Sequence, residues 1–239
     1  MADVRLAMDT ATTRLSVAVA RPGRPAVVHT VDGPRQHAAA LLPLIDQGLA
    51  ELGATADELR TVALADGPGS FTGLRVGAAV AKALSRAGAV RLFTAPSLLV
   101  RAAGLVQGAQ DRSVLAVSHA LRGEVYAGIW RFGSGRITTL MTPRAIDAQG
   151  VLALAPVDQA IGEAPEEIVT ALRARGLTLV TPGLPSAVTL LELVDRDGGC
   201  REITAPDSWE PEYGRPAEAQ AKWERTHGRT LPDSPGRIS

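Results

Sequence analysis

The stretch of this 239-residue chain with the clearest chemical potential is residues 67–77, GPGSFTGLRVG. A glycine-rich turn that opens a helix points backbone N–H groups at whatever sits over the helix N-terminus, the arrangement that holds phosphates and other anions. No Gly-Lys-Ser/Thr follows, so it is not a Walker loop, and the spacing is not the Gly-x-Gly-x-x-Gly of a dinucleotide fold. Spacing alone leaves two readings open, an anion cradle built on Gly67, Gly69 and Ser70, and a tight, well-capped helix start. The second candidate is the run Asp9, Thr10, Ala11, Thr12, Thr13. A carboxylate followed by hydroxyls on a hairpin could hold a metal-bound phosphate, while Asp and Thr are also ordinary turn residues.

The remaining reactive side chains are sparse. His29, His37, His119 and His227 show neither His-x-x-x-His nor His-Glu-x-x-His spacing, so no metal centre is expected. His37 at a helix start and His119 beside a strand end are the acid–base candidates, against the plainer reading of hydrogen-bonded structural histidines. A nucleophile elbow around Ser70 would need glycines where Pro68 and Thr72 stand, which ranks a peptidase last. The single cysteine, Cys200, excludes an internal disulfide and a thiolate metal cluster. Eight aromatic residues are too few and scattered for a base-stacking platform.

These residues need elements to place them. Alternating apolar runs predict strands over 4–8, 15–20 and 26–31, the last two joined by the turn RPGRP. Apolar positions at three- and four-residue spacing predict a helix over 37–52 with Gly53 as its C-cap. A short strand at 62–65, the glycine turn and an Ala-rich helix over 72–87 follow. In that helix the i+4 row Gly73, Gly77, Ala81, Ser85 is made of small residues only. Interior glycines cost about 1 kcal/mol each against alanine, so a packing reason is expected. Apolar rows on more than one side suggest a helix facing both its own sheet and a partner, with a purely internal core helix as the alternative. The second half repeats the order: strands over 114–117, 124–132 and 136–141, helices over 164–174 and 186–195, and a strand near 177–181. Residues 96–110 are expected to join the halves, and the tail beyond Arg215 to be frayed.

With 25 basic and 25 acidic residues the net charge is zero. The first 105 residues carry 11 basic and 8 acidic groups and the rest 14 and 17, plus 3 and minus 3, so neither half grips nucleic acid by charge alone. No apolar stretch of secretory length follows Met1. The longest uncharged stretch, 176–191, has 16 residues broken by Pro182, Gly183 and Pro185, short of the roughly 20 a spanning helix needs. A cytoplasmic protein without a membrane span is expected.

Residues 65–84, ADGPGSFTGLRVGAAVAKAL, closely resemble the signature of the TsaB (YeaZ) family. Residues 7–19, 36–46, 95–104 and 122–130 resemble its other segments in the same order, and PEYGRPAEA at 211–219 resembles its C-terminal signature. The resemblance implies an α/β, two-lobed actin-like (sugar-kinase-type) fold of mixed sheets flanked by helices. The first lobe would span 1–105, completed by the segment after about 205, the smaller second lobe 106–204, and a flexible tail 216–239. It implies a non-catalytic scaffold and dimerisation subunit of the complex that transfers a threonylcarbamoyl group to N6 of adenosine 37 in tRNAs reading A-starting codons. Its partners would be a TsaD-type catalytic subunit, a TsaE-type ATPase and, when alone, a second copy of itself, with tRNA contacted only indirectly. No cofactor is implied for the chain itself, since ATP would be bound by the assembled complex. The implied interface is Leu41, Ile45, Gly73, Leu74, Gly77, Ala78, Ala81 and Leu84. Asp9, Thr10, Thr12, Gly67, Gly69 and Ser70 would form a vestigial phosphate site, because Thr10 and Ala11 stand where actin-like hairpins carry glycine. Ser118–His119 departs from the family, which commonly has Asp there. The alternative is a stand-alone ATP-binding kinase of the same fold class.

Overall fold

The computed structural model describes residues 3–33, 36–106, 111–120, 122–133, 135–182, 185–214 and 226. The tail expected over 216–239 therefore lies, Thr226 apart, outside the described residues. The chain opens with the antiparallel meander β1 (Val4–Asp9), β2 (Arg14–Ala20) and β3 (Val27–Asp32), then α1 (His37–Glu51), β4 (Leu59–Ala65), α2 (Phe71–Ala87), β5 (Arg91–Ala95) and α3 (Ser97–Leu105). The second half repeats the scheme: β6 (Arg112–His119), β7 (Val125–Gly133) and β8 (Arg136–Ile146) form a meander, followed by α4 (Ala148–Leu152), β9 (Gln159–Gly162), α5 (Glu166–Ala174) and β10 (Leu179–Val180). The chain then returns through α6 (Ala187–Val194) and β11 (Arg201–Ile203).

Each half builds one mixed sheet. The six-stranded sheet runs β11-β5-β4-β1-β2-β3, with β1, β4 and β5 parallel, and the five-stranded sheet runs β10-β9-β6-β7-β8, with β6, β9 and β10 parallel. Strand alternation sorts side chains by size. Val4, Leu6 and Met8 of β1, with Val62 and Leu64 of β4, pack under Leu41, Ile45 and Leu49 of α1 and Ala78 and Ala81 of α2. The opposite face offers the alanines Ala7, Ala18, Ala63 and Ala65, which let α3 and α6 pack closely between the two sheets together with Val114, Ala116 and Trp130. Each large aliphatic buried here contributes about 1.5–3 kcal/mol. On the far side of the second sheet, Leu115, Val117 and Val125 are covered by Val151 of α4 and Ile168 and Leu172 of α5.

The segment 96–110 runs from β5 of the first sheet to β6 of the second, and it holds a helix that the sequence did not announce. Residues 97–105 are α3, and seven of its nine residues, Ser97 to Ala103, are buried. A helix enclosed all round has no polar stripe, so the periodicity that reveals surface helices is missing. The strand expected near 177–181 shrinks to Leu179–Val180. α6 contacts β1 and β2, its Ala187 N–H donates to Ser16 Oγ at 3.0 Å, and β11 pairs with β5. We therefore propose a lobe boundary that assigns 187–203 to the first lobe rather than to the second.

Candidate functional site

The hairpin 10–13 and the glycine loop 67–70 meet directly. Asp9 is fully enclosed, and its Oδ1 accepts the Ala11 N–H at 2.9 Å. The Ala11 carbonyl in turn accepts the Ser70 N–H at 2.7 Å. Ser70 caps α2, its Oγ accepting the Gly73 N–H at 3.2 Å. A Cβ at Gly69 would collide with the Ala11 carbonyl and one at Gly73 with the Thr10 carbonyl, while at Gly77 it would lie 2.8 Å from Leu64 Cδ1 and hard against Thr10 Oγ1. Gly67 has φ +113°, a left-handed conformation that favours glycine, and exchanges hydrogen bonds with Ser97, N–H to Oγ at 3.0 Å and carbonyl to N–H at 2.7 Å.

A C-terminal strap closes the outer side of this loop. The Glu212 N–H donates to the Asp66 carbonyl at 2.8 Å, the Tyr126 hydroxyl to the Gly214 carbonyl at 2.7 Å, and Lys82 pairs with Glu210 at 2.8 Å. Tyr213 packs against Phe71 with ring centroids 4.7 Å apart and planes tilted by 45°.

Between the two sheets lies a cleft of about 630 Å³, lined from the first lobe by Thr12, His37, Ser70, Thr72 and Arg101 and from the other side by Ser118, His119, Tyr126 and Glu163. Arg101 is 4% exposed, and its Nη1 donates to the Val117 carbonyl at 3.0 Å. Burial lowers its pKa, opposed by the charges of Glu163 and Asp9. Burial likewise pushes Asp9 up to about 6, against the Ala11 N–H bond and the Arg101 charge, which favour the carboxylate. A second cavity, of about 280 Å³, borders Asp66, Cys200, Arg201 and Glu212. Burial raises Asp66 to about 6 although Arg201 Nη2 donates to its Oδ2 at 3.1 Å, and raises the Cys200 thiol to about 12. That value makes Cys200 a poor nucleophile at neutral pH. Among the described residues no three His, Cys, Asp or Glu side chains converge as a metal site, and no helix is long and apolar enough to cross a membrane.

Residues 30–180 match the family model described as TsaD: tRNA N6-adenosine threonylcarbamoyltransferase. The chain is 34% identical over 121 residues to the tRNA threonylcarbamoyladenosine biosynthesis protein TsaB of Escherichia coli (strain K12), a match covering 51% of this chain and 52% of that protein. It is 34% identical over 197 residues to an uncharacterized protein of Mycobacterium tuberculosis, covering 80% and 84% of the two chains. The solved structure of YeaZ from Pseudomonas aeruginosa superposes with a TM-score of 0.69 at 28% identity, covering 80% of this chain and 91% of that one. The chain belongs to the TsaB (YeaZ) family. Its two-sheet architecture is accordingly the two-lobed actin-like fold of that family. The match to the E. coli TsaB spans about half of that protein's length.

In this TsaB-family chain most of the residues expected at a partner interface pack within the chain itself. Of the eight residues expected at a partner interface, Leu41, Ile45, Gly73, Leu74, Gly77, Ala78 and Ala81 are buried within the chain, and Leu84 is half-buried. The physical reason is the large-residue face of β1 and β4, which needs cover, and the close approach of α2 to Thr10, which only glycine at 73 permits. The small-residue row faces the chain's own hairpin and sheet. The outward faces of α1 and α2 carry instead Ala38, Leu42, Ala79 and Ala83, with Val76, Val80 and Leu84 half-buried beside them, and Leu42 is 55% exposed. The six residues expected to form a vestigial phosphate site are brought together, but Asp9 is enclosed and the Ser70 N–H already has an acceptor.

Sequence reasoning missed Asp66, Arg101 and Glu163. Arg101 was detectable: it is the one charged residue in the run SLLVRAAGL, where burial of the flanking apolar residues drags it inside. Glu163 follows β9 with no local signal. His37 and His119 both line the cleft. His227 lies outside the described residues.

Proposed function

We propose that this chain is a non-catalytic scaffold subunit in tRNA threonylcarbamoyladenosine biosynthesis, supporting a TsaD-type catalytic subunit that acts on N6 of adenosine 37. The observation that carries the reading is the mutual clamp of hairpin and glycine loop. The Ala11, Gly67 and Ser70 amides are spent on internal acceptors, the Asp9 carboxylate, the Ser97 hydroxyl and the Ala11 carbonyl, and Asp9, the group that would reach a phosphate-bound metal, is fully enclosed. Family membership then favours a supporting role over independent phosphoryl transfer.

The docking surface in this reading is the outward face of α1 and α2, centred on Leu42 and Ala79, rather than the buried glycine row. A TsaE-type ATPase and tRNA would join through the assembled complex. Co-expression of the chain with the TsaD-type protein of the same cell, followed by affinity purification, tests the assignment. The wild-type chain should retain that protein, and Leu42→Asp combined with Ala79→Arg should weaken retention by about tenfold or more, as loss of a central anchor does. Both sites are exposed, so the double variant should melt as the wild type does. Full retention by a folded double variant would sink the α1–α2 surface. Failure of the wild type to retain it, together with Mg²⁺-dependent ATP binding that Asp9→Asn abolishes, would favour the kinase reading.

A further inference from the structure

We propose that the cleft between the two lobes binds a small organic anion, a carboxylate or a monophosphate, through the guanidinium of Arg101 and the imidazole of His37. Arg101 is 4% exposed and lines the cleft wall. Among the described residues its guanidinium donates one hydrogen bond, to the Val117 carbonyl, and has no carboxylate within 4.0 Å. The charges of Asp9 and Glu163 reach it only from farther away. An arginine so enclosed is costly unless its fork of donors meets an acceptor, and planar bidentate recognition of carboxylate or phosphate is what that fork suits.

A second group in the same wall points the same way. His37 is 8% exposed, lines the cleft, and its Nε2 is enclosed without a hydrogen-bond partner. Buried polar atoms are normally satisfied by protein, by water or by a bound group, and for this nitrogen the protein supplies no partner among the described residues. The start of α2 adds to this. Ser70 satisfies the Gly73 N–H, so the N–H groups of Phe71 and Thr72 have no acceptor among the described residues, and Ser70 and Thr72 border the cleft.

Size and wall chemistry set the class. About 630 Å³ lies within the 300–1,000 Å³ range of small-molecule sites. Ala38, Pro68, Val76 and Leu98 supply an apolar wall for a carbon skeleton. Exposed Glu163 at the lining repels a second anionic group, so the ligand carries one. Within the clamp itself the Ala11, Gly67 and Ser70 amides are already bonded, so the anion would be held by Arg101, His37 and the first turn of α2 instead.

Calorimetry on the full chain with glycerol 3-phosphate, lactate and inorganic phosphate, at matched ionic strength, tests the proposal. Either organic probe should bind saturably and more tightly than inorganic phosphate, and whichever binds better identifies the head group as phosphate or carboxylate. Arg101→Met should weaken that binding at least about tenfold. Thr72→Glu, at an exposed position where a carboxylate favours the helix start, should weaken it similarly and keeps the test decisive if Arg101→Met does not fold. Absence of saturable binding by every probe, binding of inorganic phosphate as tight as that of the organic probes, or unchanged binding in Thr72→Glu would overturn the proposal.

Discussion

Asp9 and Asp66 are taken almost wholly out of water, at 0% and 2% exposure, and desolvation raises each to about 6 from an ordinary value of 3.8. A raised acid holds its proton more tightly in the folded state than in the unfolded chain. Below about 3.8 both states are protonated and this contribution to stability is fully present. Between about 3.8 and 6 the unfolded state releases its proton first, so stability falls as pH rises, and above 6 the loss is complete. Replacing Asp9 with Asn keeps an oxygen for the Ala11 N–H and removes the buried charge. Asp9→Asn is therefore expected to be more stable than wild type at pH 7.5, by at most about 3 kcal/mol for a shift of roughly two units, and to show a shallower decline between pH 4 and 6. Melting temperatures of both proteins across pH 4 to 8 check this. A less stable variant at pH 7.5 would mean that attraction between Asp9 and Arg101 outweighs desolvation.

At the level of elements, α2 shows how packing overrules propensity. Alanine is about 1 kcal/mol better than glycine inside a helix, yet a Cβ at Gly73 would run into the Thr10 backbone carbonyl, which cannot swing aside as a side-chain tip can. Gly73→Ala is expected to destabilise by about 1–3 kcal/mol as an overpacking change, read as a lower urea midpoint at unchanged slope. A higher midpoint would show that the helix sits farther from the hairpin than described. The same element shows what the sequence could and could not reveal. The 3.6-residue pattern announced α1 and α2 because each has a buried and a wet side, and the meanders β1–β3 and β6–β8 were legible from alternation and turn residues. α3 was not, because Leu98, Leu99 and Val100 are all buried, which erases the period. β5 and β9 are short central strands that read as apolar fragments, and β11 is defined only by pairing with β5 across more than 100 residues of chain. For the site, the glycine loop was visible at once, but whether its row faced a partner or the chain's own hairpin depended on which side of α2 met β1 and β4. That is a tertiary fact with no signature in a row of small residues.

The whole molecule combines a net charge of zero with an apolar face on α1 and α2. Zero net charge removes the long-range repulsion that keeps like molecules apart. Leu42, Ala38, Ala79 and Ala83 are exposed on these helices, with Val76, Val80 and Leu84 half-covered, and such apolar side chains can be covered by a pair of helices from another chain. A two-fold arrangement places the same patch on both sides, so that Leu42 of each copy can lie against the α2 alanines of the other. A stable pairing needs about 800 Å² from each partner, which two helices of 15 and 17 residues have the length to supply. The chain on its own should therefore self-associate through the surface proposed above for a TsaD-type subunit, and under that proposal the two associations should compete. Light scattering over a concentration series should give a dimer mass at tens of micromolar that falls towards a monomer on dilution, and Leu42→Asp should hold the chain monomeric without lowering its melting temperature. A wild-type chain that stays monomeric throughout would show that the face is too small or too flat to pair with itself. A dimer unaffected by Leu42→Asp would place self-association elsewhere, with the β3 and β8 sheet edges the next surfaces to mutate.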